Sequence, residues 1–425
     1  MDVVGELLKE VPLPRMVKVR QSFAAAPAVD VAAVLRRELA KPGIAGAVRP
    51  GMRIALAVGS RGVDGIATLV RETAATLKEL GALPFVVPAM GSHGGATAAG
   101  QEAVLASLGV TAESAGCPVC SCMDTIAVGR LDNGLPVLID RLAHEADGIV
   151  VINRVKPHNA FRGPSESGLV KMLAIGLGKQ QGADSCHAYG FGRMAEFIVA
   201  MAAIKLAACR VLFGVATVEN AYDRAVLVEA VPAAELIAAD QRLLTAAKAN
   251  MPRIMFDPID VLIVDRIGKE YSGGGMDGNI TGRHPTPFIS GGPRTSRIAV
   301  LDVTDKSRGN AAGVGMADVT TRRLVDKIDY AALYTNALTS TVLETARIPL
   351  VAETERDAVR AALKTCGAGD LSAVRVVRIK NSLHLDEIYI SAALVPEAEA
   401  NPAVDLLGAP REMAFDSAGN IADPW

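Results

Sequence analysis

The residues best suited to chemistry lie between Lys156 and His187. This segment reads KPHNAFRGPSESGLVKMLAIGLGKQQGADSCH and places a single lysine, Lys171, in an apolar helical run between the histidines His158 and His187. A lysine surrounded by leucine and isoleucine has few routes to water, and desolvation favours its neutral, nucleophilic amine. A neutral amine with an imidazole on either side suits covalent or metal chemistry more than packing.

The elements that must position these residues alternate between strand and helix patterns. Apolar runs such as MRIALAVG and GIVVINRV indicate strands, and helical periodicity appears between them. This alternation predicts an α/β fold with a mostly parallel sheet, whose functional residues gather at the carboxyl ends of strands. We therefore expect four strand-end segments to share one crevice: Gly59-Ser60-Arg61, Gly91-Ser92-His93, Asn153 to His158 and Glu219-Asn220.

The length of 425 residues indicates two domains. The first α/β domain is expected over residues 1–255 and would carry the cofactor and catalytic residues. The second, residues 256–425, has strand patterns of its own in DVLIVDRIG and RIAVLDVT. It would close over an interdomain cleft that holds the active site. The loop-like tail, residues 401–425, is left open to pack back on the first domain.

The composition argues against several classes of protein. The chain is 50% hydrophobic with a formal net charge of −2, which does not suit nucleic acid or an anionic membrane as a partner. The start of the sequence has no apolar signal core, so we expect a soluble, cytoplasmic protein. Three of the six cysteines form CPVCSC, which resembles half of a zinc or iron–sulfur site. No completing pair is found, so these cysteines are interpreted as reduced thiols.

Other candidate residues have both a structural and a functional interpretation. His93 lies in Gly-Ser-His-Gly-Gly, where glycines let the backbone approach a ligand, although a turn histidine would look the same. His158, with Arg162 nearby, suits a general base beside an anionic ligand, or it caps a loop. Lys269 and the Gly-rich loop Tyr271–Asn279 form either a surface turn or a lid that carries a cation to a carboxylate.

With these residues in view, the chain resembles the lactate racemase family, whose members use a nickel-pincer nucleotide. The match is strongest over Gly134–Gly190, in ADGIVVINRVKPHNAFRG and ESGLVKMLAIGLGKQQGADSCH. The resemblance implies that Lys171 is linked covalently to the cofactor through a thioamide. It also implies that His187, sixteen positions later (187 − 171), completes the coordination of nickel. His93 is implied as one member of an acid/base pair, and His158 as the other.

The resemblance also implies further contacts and partners. It implies that Arg61, Ser60, Ser167 and Gly168 bind the cofactor, and that two further cations bind substrate, namely Lys269 and Arg162. Cofactor-synthesis and nickel-insertion proteins are the implied partners. The chain departs from the lactate enzymes in reading VGSRG where they have Asp-x-Thr-Arg-Pro, and ESGLVK where they have Ser-Gly-Gly-Arg-Lys. These departures argue against lactate itself as the substrate.

The implied reaction is racemisation or epimerisation at C2 of a 2-hydroxy acid. Hydride moves reversibly between C2 and the nickel-pincer nucleotide, while two histidines on opposite sides exchange the hydroxyl proton. One alternative is a nicotinamide-dependent 2-hydroxy-acid dehydrogenase, although no GxGxxG followed by an acidic residue comes after the first strand. The other alternative is a non-catalytic protein that binds a sugar acid or a nucleotide.

Overall fold

The chain forms two compact units. A computed structural model describes residues 3–24, 26–60, 62–423 and 425. The central unit comprises residues 25–251, and the terminal unit comprises residues 1–24 together with 252–425. The boundary at 251/252 lies four residues before the predicted one. The larger difference is that residues 1–24, which the sequence assigned to the first domain, belong to the same unit as the C-terminal part of the chain.

The strands alternate with helices along most of the chain. The strands are β1 (Met16–Gln21), β2 (Arg53–Val58), β3 (Leu83–Pro88), β4 (Thr125–Arg130), β5 (Pro136–Asp140), β6 (Gly148–Arg154), β7 (Val211–Glu219), β8 (Ala225–Pro232), β9 (Ile259–Ile267), β10 (Thr295–Val303), β11 (Val319–Thr321), β12 (Leu350–Ala352), β13 (Val376–Ile379), β14 (Glu387–Ser391) and β15 (Val404–Leu406).

The helices vary from a single turn to four turns. They are α1 (Val3–Leu8), α2 (Val31–Leu39), α3 (Pro42–Ala45), α4 (Ile66–Glu79), α5 (Ala98–Ser107), α6 (Ala112–Ala115), α7 (Arg141–His144), α8 (Leu169–Ala174), α9 (Lys179–His187), α10 (Met194–Ala208), α11 (Leu236–Asn250), α12 (Gly278–Thr281), α13 (Arg322–Asp326), α14 (Tyr330–Ser340), α15 (Glu355–Thr365) and α16 (Val395–Ala400). Within the described ranges, none is both long enough and apolar enough to cross a bilayer.

The central unit is built on a sheet of order β3-β2-β6-β7-β8. Its strands are parallel except for β8, which pairs antiparallel with β7. Strand β2 is buried from Ile54 to Val58, as expected for a parallel strand covered on both faces. This arrangement confirms the predicted fold class. Strand β5 lies outside the sheet, in an antiparallel pair with β4.

The terminal unit has a second sheet of order β12-β11-β10-β9-β13-β14-β1-β15. The strands from β12 to β13 are parallel, whereas β14, β1 and β15 run antiparallel to their neighbours. Strand β1 satisfies the backbone hydrogen bonds of both β14 and β15, which explains why residues 1–24 join this unit. The tail also packs here, since Trp425 Nε1 donates to Asp265 Oδ2 at 2.6 Å.

The run GLVKMLAIGLG, which the sequence predicted to be helical, is divided in the structure. Helix α8 ends at Ala174, a 3-10 turn follows at Gly176–Gly178, and α9 then begins at Lys179. The break occurs where Lys179 adopts a φ of 53°, in the left-handed region that most side chains avoid. Lys171 and His187 therefore lie on two separate short helices.

Candidate active site

A cavity of about 180 Å³ opens in the central unit at the carboxyl ends of β2, β3 and β6. Three of the four predicted strand-end segments meet there. The fourth, Glu219-Asn220, has a structural role, because the Glu219 carboxylate pairs with Arg154 and accepts a hydrogen bond from Asp64 N at 2.8 Å. Arg61 lies outside the described residues. The polar lining includes Ser60, Ser92, His93, Asn153, Lys156, Ser167, Lys171 and His187.

Lys171 and Met172 of α8 both line this cavity. Every other residue of the helix is buried, whereas Lys171 is half-buried, so it is less enclosed than the sequence suggested. Its Nζ lies 2.6 Å from His158 Nε2. The Ala160 N–H donates to His158 Nδ1 at 3.1 Å, which helps to hold the ring in place. With either group as the donor, Lys171 Nζ and His158 Nε2 are close enough to share a proton.

A buried carboxylate holds the loop that carries His158. Glu166 Oε2 accepts from the His158 backbone N–H at 2.8 Å, and its Oε1 accepts from Lys248 Nζ at 2.7 Å. Arg162 completes the arrangement by donating to the His158 carbonyl at 2.9 Å and to Glu166 at 3.3 Å. Lys156 and Ser167 close the base of the loop through two backbone hydrogen bonds. The guanidinium of Arg162, predicted to bind substrate, is thus engaged in shaping this loop.

His93 also lines the cavity. The Ser60 hydroxyl forms a hydrogen bond with His93 Nδ1. Gln101 is fully buried and binds the loop that carries His93. Its Nε2 donates to the Gly91 carbonyl at 2.8 Å and to the His93 carbonyl at 3.3 Å. The sequence did not single out Gln101, because nothing in its helix distinguishes it from a surface glutamine.

Gln101 is connected to a buried ion pair beneath the cavity. Lys179 Nζ donates to Gln101 Oε1 at 3.0 Å and to the Pro88 carbonyl at 2.6 Å, and it lies 2.9 Å from Asp140 Oδ2. Both side chains of the ion pair are completely buried. Lys179 therefore joins the ends of β3 and β5 to the His93 loop, which also explains why its strained backbone conformation is tolerated.

Helix α8 is held at both ends by buried charged side chains from the two helices that pack on it. At its N-terminus, Asp240 of α11 accepts from Val170 N at 3.4 Å, and burial raises the pKa of this carboxyl. At its C-terminus, Lys205 of α10 donates to the carbonyls of Leu173 at 2.6 Å and Ala174 at 3.1 Å. An acidic side chain at the N-terminus and a basic side chain at the C-terminus have the polarity that complements the helix dipole.

Gly168 permits the close approach of α11 to α8. A Cβ at this position would lie 2.1 Å from Asp240 Oδ1 and 3.1 Å from Val155 Cγ2. We expect Gly168→Ala to displace the carboxylate and to lower the free energy of unfolding by about 1–3 kcal/mol in urea titrations. The matched variant is Gly43→Ala, where the nearest atom would lie at 3.8 Å. Equal losses in the two variants would contradict this account.

Lys205 predicts a dependence of stability on pH. Burial lowers its pKa from 10.5 to about 7, so the unfolded chain binds more protons between these values. The free energy of unfolding should therefore rise with pH across this window, by at most about 1.4 kcal/mol per pH unit. Urea titrations at several pH values would measure the rise in the parent chain and its loss in Lys205→Met. Parallel curves for the two proteins would contradict the prediction.

His187 ends α9 at the cavity wall and is suited to metal binding. It is mostly buried, and burial, with a smaller contribution from Lys171, lowers the pKa of His187 to about 4. The imidazole is therefore neutral near pH 7, which is the form that ligates metals. Its ring lies beside Phe191, with the ring centroids 5.7 Å apart. Within the described part of the chain, no group of three or more histidine, cysteine or carboxylate side chains could hold a metal by itself.

The remaining predicted residues divide between the two units. Ser60 and Ser167 line the cavity, and the Gly168 carbonyl accepts from Asn153 Nδ2 at 3.1 Å. Lys269 belongs to the terminal unit, where its Nζ donates to the Gly273 carbonyl at 2.8 Å and to Asn336. The cysteines of CPVCSC are free thiols, and their segment runs beside β3 through backbone hydrogen bonds to Val86.

Comparisons with known proteins found similarity in solved structures only. The sequence matches no protein-family model and no curated protein. A Thermotoga maritima protein solved by structural genomics is 16% identical, with a TM-score of 0.49, over 65% of this chain and 72% of that one. The lactate racemase apoprotein from Thermoanaerobacterium thermosaccharolyticum is 14% identical, with a TM-score of 0.47, over 86% of this chain and 88% of that one. The function must therefore be inferred from the residues of this chain.

Proposed function

We propose that the central unit is the catalytic part of an isomerase that inverts C2 of a 2-hydroxy acid. The observation that carries the proposal is the contact between Lys171 Nζ and His158 Nε2, which lie 2.6 Å apart. A lysine amine at a cavity wall, beside an imidazole that can accept its proton, is a nucleophile available for a covalent link. The sequence resemblance to lactate racemases supplies the identity of the link.

The residues present fit a covalently attached nickel-pincer nucleotide. Lys171 would hold it through Nζ, and His187, neutral because of its burial, would donate a nitrogen to nickel. The absence of a complete protein ligand set among the described residues agrees with a metal held mainly by a cofactor. When bound, such a group supplies a carbon centre that accepts and returns a hydride.

The protein itself would bind the acid and move one proton at its hydroxyl oxygen. His93 would use Nε2 for this, since Ser60 holds Nδ1. His158 would use Nε2 as well, because the Ala160 N–H occupies its Nδ1. One imidazole would remove the hydroxyl proton and the other would return a proton, so the site could act on either enantiomer of the acid. Lys156, which lines the same cavity, supplies a positive charge for the carboxylate of the acid.

The covalent link is tested by intact-mass analysis. The chain is produced together with cofactor-synthesis and nickel-insertion proteins, because alone it is expected to be inactive. We expect a mass adduct and bound nickel in the parent chain, and neither of them in Lys171→Ala. Lys156→Ala removes another lysine from the same cavity and should keep the adduct. Loss of the adduct in both variants, or no adduct in the parent chain, would contradict the assignment of Lys171.

The substrate class is tested with the loaded protein. Enantiomers of short, aromatic, dicarboxylic and sugar-derived 2-hydroxy acids are each followed by polarimetry or chiral chromatography. We expect interconversion of at least one pair without any requirement for nicotinamide. Oxidation of NADH by a 2-keto acid would favour a dehydrogenase, and binding of an acid without its interconversion would favour a non-catalytic binding protein.

A further inference from the structure

The sheet of the terminal unit reverses its strand order beside β9. Strand β9 lies between β10 and β13, and all three are parallel. From β9 the chain moves outward through β10, β11 and β12, and it then returns to place β13 on the other side of β9. Open α/β sheets bind ligands outside the carboxyl ends of their strands at such a reversal. The fold therefore provides a binding position built from residues of the terminal unit.

A cavity of about 550 Å³ lies at this position. Its walls come from the last residues of β9 and β10 and from the segment that follows β13. Arg266, near the end of β9, donates its backbone N–H to the Lys380 carbonyl at 3.1 Å, so their side chains start from adjacent strands. Lys306 borders the cavity from the turn after β10. Three cationic side chains thus surround one concave surface.

The carboxylates of this cavity do not neutralise those three cations. Arg266, Lys306 and Lys380 are exposed, and among the residues that the structure describes none of them forms a salt bridge. Both oxygens of Asp302 lie 2.9 Å from Lys327 Nζ, so this carboxylate is already paired. Glu270 folds back over Gly268, where a Cβ would lie 2.6 Å from its Oε2. Asp305 also lines the cavity, with Oδ1 of its carboxylate 3.9 Å from Lys327 Nζ, so four cationic and three acidic side chains leave the lining with a net positive charge.

The chemistry of this wall favours a phosphate. A guanidinium provides two parallel N–H donors for phosphate oxygens, and ammonium groups add positive charge without a fixed direction. Beside the cations, the rings of Tyr271 and His384 meet edge to face with their centroids 6.1 Å apart. These rings offer a surface for an organic group, and the volume exceeds what inorganic phosphate would fill.

We propose that the cavity at the carboxyl ends of β9, β10 and β13 is a phosphate-binding site, held chiefly by Arg266 and Lys380. The site lies wholly within the terminal unit, and its existence does not depend on the isomerase activity. Its ligand is either free phosphate or the phosphate group of a small organic molecule. In both cases binding should weaken as ionic strength increases, because the cations are exposed.

Isothermal titration calorimetry with inorganic phosphate and with adenosine 5′-monophosphate tests the proposal. We expect at least one of these probes to bind the parent chain. Arg266→Gln and Lys380→Gln should each weaken that binding by about tenfold or more. Tighter binding of the nucleotide would identify an organic phosphate as the ligand, and equal affinities would identify free phosphate. Lys171→Ala should bind as the parent chain does, which separates this site from the one in the central unit.

The matched control is Lys364→Gln, which removes the same charge from an exposed position on α15 of the same unit. It should leave binding unchanged. The proposal is overturned if neither probe binds at concentrations of about 10 mM. It is equally overturned if Lys364→Gln weakens binding as much as Lys380→Gln does, because the attraction would then be a general effect of charge.

Discussion

His158→Ala is expected to lower the rate of interconversion in the cofactor-loaded protein by about 10²–10⁴-fold, the usual contribution of a positioned acid or base. His93→Ala should have an effect of the same size, because each histidine would serve one face of the substrate. Neither residue is proposed to ligate nickel, so the nickel content of both variants should match that of the parent chain. The measurements are initial rates in both directions and metal analysis of the same samples.

The control for this pair is His144→Ala. His144 belongs to the central unit but ends α7, away from the cavity lining. Its replacement should leave the rate unchanged. Full activity in either His93→Ala or His158→Ala would exclude a reaction that uses both residues. Loss of nickel together with activity would instead assign the histidine to metal binding.

The second large effect is expected on stability. Lys179→Met leaves Asp140 buried without its cation, and removing one member of a buried ion pair costs about 3–5 kcal/mol. Chemical denaturation should show this decrease in the free energy of unfolding. Lys179 also donates a hydrogen bond to Gln101, which binds the His93 loop. The folded fraction of Lys179→Met should therefore have a disordered His93 loop and reduced activity.

Two further variants identify the cause of that loss. Arg193→Met removes a cation from an exposed pair with Glu196 and should change stability little. Lys179→Met combined with Asp140→Leu removes both buried charges and should recover part of the stability lost by the single variant. A double variant that is less stable by the sum of two independent losses would contradict a pairwise interaction.

The fold class and much of the cavity could be predicted because parallel strands leave a strong local pattern. Buried runs such as Ile54 to Val58 and Ile149 to Ile152 are continuous in the sequence, and each ends in polar or glycine residues. The rule that functional residues follow such runs identified Ser60, His93 and Asn153. These inferences need only residues that are near one another along the chain.

The positions that could not be predicted depend on contacts between distant segments. Strand β1 joins β14 and β15, which lie more than 350 residues later, and no local pattern specifies that pairing. Asp240 approaches Gly168 from a different helix, and in the sequence it looks like an ordinary polar residue of an amphipathic helix. Lys205 did leave a signal, as a lone lysine near the end of an apolar helix. Its partners, however, could be found only in three dimensions.

The structure explains one departure from the family pattern, the segment that contains Glu166. In the sequence, the segment before Lys171 differs from the one in the lactate enzymes and gave no indication of its role. In the structure, the Glu166 carboxylate fixes the His158 backbone and pairs with Lys248 of α11. The altered segment therefore has its own means of orienting one of the proposed bases.

The buried side chains at the two ends of α8 matter for finding an equivalent site in other proteins and for building this site into another scaffold. A helix of six residues is too short to be stable alone, so the direction of Lys171 depends on α10 and α11. Copying only the segment from Lys156 to His187 into another scaffold would transfer the reactive groups without the side chains that orient them. A search for proteins with an equivalent site should therefore require counterparts of Lys205 and Asp240 in addition to the local motif.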